Sequence, residues 1–180
     1  ADHTDFGGVN VASGSVTRTF TIENTGAGAL NLTGTPKVVI SGANAADFTV
    51  TTQPASPVAA TTGTTTFVIT FDPSAAGMRT ATIRIANDDA NENPYTFAIQ
   101  GTGCEISIIA GTATNPSTCS GTDGSIAFTS TNLPDGTYSL SFTPTGAGAT
   151  ASPQNITVSA NAFSLTGLSA GTYKDFSVAN

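Results

Sequence analysis

Apolar and polar side chains alternate with period two in three consecutive segments between Thr64 and Gly103, TTTFVITFDPSAAGMRTATIRIANDDANENPYTFAIQGTG. The first carries Phe67, Ile69 and Phe71, the second Ala81, Ile83 and Ile85, the third Tyr95, Phe97 and Ile99. Such alternation turns one set of side chains toward a core and leaves the Thr and Arg set in water. Asp72-Pro73 and Ala76-Gly77 interrupt the first pair of segments, and residues 87–94 interrupt the second. The pattern predicts a half-buried antiparallel meander at the end of a β-sandwich.

Upstream, strands are expected at 6–11, 16–24, 30–40 and 48–52, followed by the three above at 65–71, 79–86 and 95–100. Phe20 with Ile22, Leu30 with Leu32, and Phe48 with Val50 form inward pairs, and Asn24-Thr25-Gly26 and Ser41-Gly42 supply turns. Residues 44–47 have room for a single helical turn. Seven short strands with regular turn signals predict an immunoglobulin-like sandwich. Gln100-Gly101-Thr102-Gly103 is expected to close this domain and Cys104 to open the next, giving domains 1–103 and 104–180 in restricted orientation across a short junction. The second domain is expected to carry strands at 105–109, 125–130, 138–144, 155–159, 162–165 and 173–179. Within it, Leu133-Pro134-Asp135-Gly136-Thr137-Tyr138 is echoed by Leu168-Ser169-Ala170-Gly171-Thr172-Tyr173, each leading into a strand. The predicted fold class is all-β, two tandem immunoglobulin-like β-sandwich domains.

Composition supports this and removes several functions. With 9% charged and 38% hydrophobic residues in clean alternation, the chain reads as folded β-structure and neither as disorder nor as helix. Its formal net charge is −7, and five Lys and Arg scattered over 180 residues build no basic face. Nucleic acid and anionic membrane are therefore not expected partners. No apolar run is long enough for membrane insertion. ADHTDFGG lacks the regions of a signal peptide, so a secreted form is expected to be a mature or excised piece.

The wording of the first half is recognisable. DFGGVNVASGSVTRTFTIENTGAGALNLTG, FDPSAAG and NENPYTFAIQGTG together resemble the choice-of-anchor D repeats of very large bacterial surface proteins, immunoglobulin-like relatives of the ASPM–SPD-2–Hydin domains, over residues 5–103. TCSGTDGSIAF, LPDGTYSLSF and LTGLSAGTYKDFSV resemble, less specifically, repeats of the giant adhesins of gliding Bacteroidetes. The resemblance implies an extracellular, cell-surface setting and names no ligand.

Cys104 and Cys119 are the two cysteines, flanking EISIIAGTATNPST. In an oxidising exterior they are expected to form a disulfide within the second domain, contributing on the order of 3 kcal/mol by chain entropy. The alternatives are unpaired thiols, or pairing with neighbouring modules. Two cysteines and one histidine do not make a structural zinc site.

No catalytic constellation stands out. His3 lies at a terminus expected to fray, which leaves a serine nucleophile without a base. Gly26-Ala27-Gly28 and Gly146-Ala147-Gly148 lack the helix and Lys of a phosphate cradle. Asp72, Asp123 and Asp135 precede Pro or Gly, the ordinary place of a turn aspartate. The sequons at Asn31 and Asn155 fall in strand-like surroundings and read as chance matches. One cluster deserves weighing, in 87–93: Asp88, Asp89 and Glu92 offer hard oxygen ligands for calcium without the spacing of an EF-hand. The competing reading, a solvated hairpin loop capping its own backbone, is preferred.

With no catalytic constellation beside it, the resemblance implies a non-enzymatic stalk or adhesive segment of a large secreted or cell-surface bacterial protein, without a required cofactor. Its expected partners are neighbouring modules of the same protein or other subunits, with surface polysaccharide or protein as the adhesive targets. The alternatives are a filament subunit assembling by strand exchange and a glycan-binding accessory module of a secreted enzyme. The glycan reading is weakened by the absence of Trp and the presence of three Tyr. The strand-exchange reading rests on Asp5-Phe6-Gly7 opening onto an edge-like strand. A preceding strand is then either cleaved away or supplied by a neighbour, unless 6–11 is itself the first strand.

Overall fold

A computed structural model of the protein describes residues 3–12 and 14–179. The chain divides into two compact units, Ala1–Glu105 and Ile106–Asn180. Both are built from strands, with one short 3-10 turn at Ala45–Asp47.

The first unit contains β1 (Asp5–Asn10), β2 (Val16–Asn24), β3 (Val38–Ser41), β4 (Phe48–Thr52), β5 (Gly63–Phe71), β6 (Gly77–Ile85) and β7 (Tyr95–Cys104). They form one sheet of order β1-β7-β6-β3 and another of order β2-β5-β4. Between them lies a core of Phe6, Phe20, Phe48, Phe67, Ile69, Phe71, Ile83 and Ile99, all buried. Phe20 stacks on Phe67 at 5.2 Å and Phe48 on Phe71 at 4.7 Å, pairings that add about 0.5–1.5 kcal/mol each beyond area burial. Seven strands in two sheets make the immunoglobulin-like sandwich that the alternation predicts.

Three details differ from the sequence reading. The three alternating segments are not one meander: β6 pairs with β7, but β5 lies in the opposite sheet between β2 and β4. Alternation identifies an inward face without saying from which side the core is approached, and the 72–76 loop crosses between the sheets. The strand expected at 30–40 shrinks to β3, with Leu30 and Leu32 kept only as isolated bridges to Val58 and Asn87. Pro36 lacks an N–H for a ladder and follows Gly34 and Thr35, so the segment enters the sheet late. β7 runs through the expected junction to Cys104. Gly101 and Gly103 lie in the strand because other atoms occupy their side-chain space. A Cβ on Gly101 would meet the Phe71 ring at 2.4 Å, and one on Gly103 the carbonyl oxygen of Ala75 at 2.1 Å.

The second unit contains β8 (Ser107–Thr114), β9 (Gly124–Thr131), β10 (Gly136–Thr145), β11 (Gln154–Val158), β12 (Ala162–Leu168) and β13 (Thr172–Ala179). The sheets are β12-β9-β8 and β11-β10-β13. Phe128 and Phe163, directly opposite on β9 and β12, stack at 4.8 Å, and Phe176 meets Phe128 edge-on at 4.8 Å. The internal echo is a repeated structural device. Leu133 and Leu168 are buried, and each tyrosine hydroxyl donates to a carbonyl four residues upstream: Tyr138 to Pro134 at 3.0 Å, Tyr173 to Ser169 at 2.8 Å. Tyr173 also accepts from the Thr150 amide at 3.1 Å. Each hydroxyl pins the turn to the strand it feeds, as a tyrosine corner does.

The two corners are unequal, and this gives a test. Tyr173→Phe removes a half-buried donor and leaves the Thr150 amide unanswered, for about 1–3 kcal/mol. Tyr138→Phe removes one bond to an exposed carbonyl, for about 0.5–1 kcal/mol. Denaturant titration of both variants is expected to rank them in that order; the reverse order would remove Tyr173 from its anchoring role.

Candidate functional site

The polar loop between β6 and β7 is where the sequence places its one metal candidate. Asn87 follows Ile85 at the next inward position of the chain and is buried. Its side-chain oxygen accepts from the Asp89 amide at 2.8 Å, and its Nδ2 donates to the Glu92 carbonyl at 3.1 Å, so the loop winds around it. Asp88 turns away and holds Asn31, accepting from its amide at 2.8 Å and from its Nδ2 at 2.6 Å. Asp89 accepts from the Asn91 amide at 3.2 Å. Asp88, Asp89 and Glu92 thus do not converge, and among the described residues no three His, Cys, Asp or Glu side chains are grouped to hold a metal. The Asn31 bond also engages the amide nitrogen at which the first sequon would be modified.

Asn31, through its side chain and then its backbone amide, holds the Asp88 carboxyl below the usual carboxylate range. A carboxylate with a lowered native pKa contributes stability that is present above the unfolded pKa, near 3.9, and is lost as pH falls through the native value. The link between this loop and the Asn31 segment is therefore expected to loosen in acid.

Beside the loop lies an open groove of about 740 Å³ lined by Phe20, Leu30, Leu32, Asp89, Tyr95 and Phe97 among others. Tyr95 is 50% exposed and its ring is tilted 50° from that of Phe97. The two rings do not make a flat aromatic platform.

Two anchors were not singled out from the sequence. Asn24, buried at the end of β2, donates to the carbonyls of Gly28, Val58 and Ala59 at 2.8, 3.1 and 3.0 Å and accepts from Gly26 at 3.0 Å. Asp47, also buried, forms an ion pair with Arg79 and accepts from the Ser74 amide at 3.2 Å. Burial works to raise the Asp47 pKa, but bonds from Arg79 and Ser74 and the Arg79 charge outweigh it, and the pKa is lowered. The signal was present in both cases. Asn24 continues the inward row of Phe20 and Ile22, and Arg79 that of Ala81, Ile83 and Ile85. A polar residue in such a row requires a buried partner.

The other candidates serve turns or stand apart. Asp123 accepts from the Ser117 amide and Asp135 from the Ala160 amide, both at 2.9 Å. The Asp72 amide donates to the Asp47 carbonyl at 2.9 Å, and His3 is exposed. Both cysteines are free, which departs from the expected disulfide. Cys104 is the last residue of β7, paired with Asn10, and so belongs to the first unit; Cys119 is exposed in the second. The sequence reading ended the last strand of the first domain at Gln100 and took 101–103 as its close, and so placed Cys104 at the start of the second domain.

A model of the HYDIN/CFA65/VesB-like Ig-like domain family matches residues 1–102. Among solved structures, the chain is similar to the secreted serine protease VesC from Vibrio cholerae, with 12% sequence identity and a TM-score of 0.41. That match covers 97% of this chain and 49% of the other, so this chain spans about half the length of that structure. No curated protein matches.

The Asn24 anchor yields a discriminating substitution. Asn24→Ala is expected to cost about 3 kcal/mol, as buried carbonyls lose their donor. Asn24→Asp is expected to cost more at neutral pH, because a carboxylate faces three carbonyl oxygens. The pKa of that acid is raised in the folded state, so its deficit relative to Asn24→Ala should vanish below about pH 4 and grow as pH rises through the native value. Equal stabilities at all pH values would mean that Asn24 does not face those carbonyls.

Proposed function

Because the chain belongs to the HYDIN/CFA65/VesB-like Ig-like domain family, we propose that it is a non-enzymatic stalk or adhesive segment of a large secreted or cell-surface bacterial protein. The observation that carries this reading is the use made of the polar side chains. Asp47, Asp88, Asp89, Asp123 and Asp135 each accept hydrogen bonds from the fold's own loops, and His3, the one histidine of the sequence, is exposed. These carboxylates set the shape of surface turns and do no chemistry on a substrate. In this reading the second unit is a repeat of the adhesin type, and the partners are neighbouring modules or surface polysaccharide and protein. No cofactor takes part.

The purified chain is accordingly expected to leave peptide, ester and glycoside reporter substrates uncleaved, and to melt at one temperature with and without chelator. Hydrolysis that co-purifies with the chain and falls on Asp88→Asn would overturn the reading. So would a fall in melting temperature of more than about 10 °C on chelation.

A second reading, a subunit joining its neighbours by strand pairing, is favoured by one observation. β8 is an edge strand of eight uncharged residues, and Ile109 on it is 63% exposed. Uncharged β-rich edges accept further strands readily, and a lysine there discourages them. Under this reading the chain associates with rising concentration and Ile109→Lys abolishes the association; a wild-type chain monomeric at high concentration would dismiss it.

A further inference from the structure

We propose that the first unit bears tension, with β1 and β7 as its mechanical clamp. The inference deepens the stalk reading and rests on it. Among the described residues β1 is the first strand of the unit and β7 the last, and the two pair in parallel. Tension across the unit pulls β1 toward its N-terminal end and β7 toward its C-terminal end. For parallel neighbours these directions are opposed along a common axis, so the bonds joining the strands are loaded together in shear. In an antiparallel terminal pair both pulls act at one end and the bonds break in succession.

The contacts between the strands are distributed to resist sliding. At one end the Gln100 amide donates to the Thr4 carbonyl at 2.9 Å, and the Gln100 side chain donates to Asp5 at 3.1 Å. At the other, the Val11 amide donates to the Cys104 carbonyl at 3.0 Å, beyond the pairs Gly8↔Thr102, Val9↔Gly103 and Asn10↔Cys104. The register shifts between Asp5 and Gly8, where Gly7 adopts a φ of 76° that a side chain would disfavour. The Asp5 carboxylate closes this bulge by accepting from the Gly7 amide at 2.8 Å. Next to it, Phe6 sits among Phe20, Phe48 and Phe71, at ring distances of 6.3, 5.5 and 5.9 Å. A slip of β1 by one residue would move that ring out of the core and break both hydrogen-bonded ends at once.

β7 is the fixed jaw. It pairs with β6 along its other edge from Gly77↔Gly103 to Ile85↔Tyr95, and the Phe71 ring and Ala75 carbonyl fill the space over Gly101 and Gly103. Under load, release of β1 is therefore the step that limits unfolding, and forced unfolding is set by the rate of that step.

Single-molecule pulling on the full chain tests this, with Cys104 and Cys119 replaced by Ser. Handles at His3→Cys and Ile106→Cys load the pair in shear; handles at Ala12→Cys and Ile106→Cys pull both strands from one end. The rupture force of the first unit is expected to be severalfold higher in the shear geometry. Val11→Pro, which removes the donor to Cys104, is expected to lower the shear force by half or more. Its melting temperature should move by only about 4–8 °C, the shift one lost hydrogen bond produces in a domain of this size. Equal forces in the two geometries would overturn the clamp, whether or not the proline variant folds. That result would leave the stalk reading standing, whereas substrate turnover by the purified chain would remove the stalk reading whatever the forces.

Discussion

Side chains on alternate residues of β2, β5, β6 and β7 enter one narrow slab between two sheets, and the first unit depends on how each inward row ends. In the middle of the rows the occupants are Phe and Ile, and burial of apolar area suffices to hold them. At the ends the slab opens, the chain must turn, and backbone groups leave the ladders. There the inward position passes to a polar side chain: Asn24 at the end of β2, Arg79 near the start of β6, and Asn87 just after β6. Each meets backbone or carboxylate groups that would otherwise be buried without partners. The loops 24–28, 72–76 and 87–93 take their shapes from these anchors.

The same geometry explains why the polar motifs of the first half serve architecture. Asn24 joins the 24–28 turn to the 58–59 segment, and Asp47 with Arg79 ties the 3-10 turn to the loop that crosses between the sheets. Asp88 clips the β6–β7 loop to Asn31. In a chain with so few charges the connections are made mainly by short amide and carboxylate bonds of fixed direction. Such bonds are individually modest, but a buried amide with several partners cannot be shifted without orphaning them all.

Much of this could be read from the residues. Period-two alternation located best the strands whose buried face is specified by large apolar side chains, such as β5 and β6. Alternation does not carry the identity of the partner strand, and so β5 was placed beside β6 although it lies in the other sheet. The last strand of the first unit was ended too early, at Gln100, for a related physical reason. Gly101 and Gly103 bring no side chain to continue the alternation, but they are inward positions whose space is filled by the Phe71 ring and the Ala75 carbonyl. A glycine that admits a neighbour and a glycine that frees the chain look alike until the neighbour is known. Asp47 was hidden because it precedes Phe48, and two adjacent buried residues break the alternation on which the reading relied. The loop cluster of Asp88, Asp89 and Glu92 drew attention by composition, whereas its organising residue is the amide Asn87, which carries no charge.

These misreadings bear on function through the end of β7. Taken only as the closing junction of the domain, residues 101–103 would lie outside the sheet. As strand, they hold three pairs of the β6–β7 ladder and two of the pairings with β1. The chain then leaves the first unit from within a sheet, flanked on both edges and packed beneath by an aromatic ring. A segment held this way passes displacement at its end into the sheet, where a flexible tether would absorb it by straightening. The two glycines of the expected junction are the positions that permit β7 to be gripped.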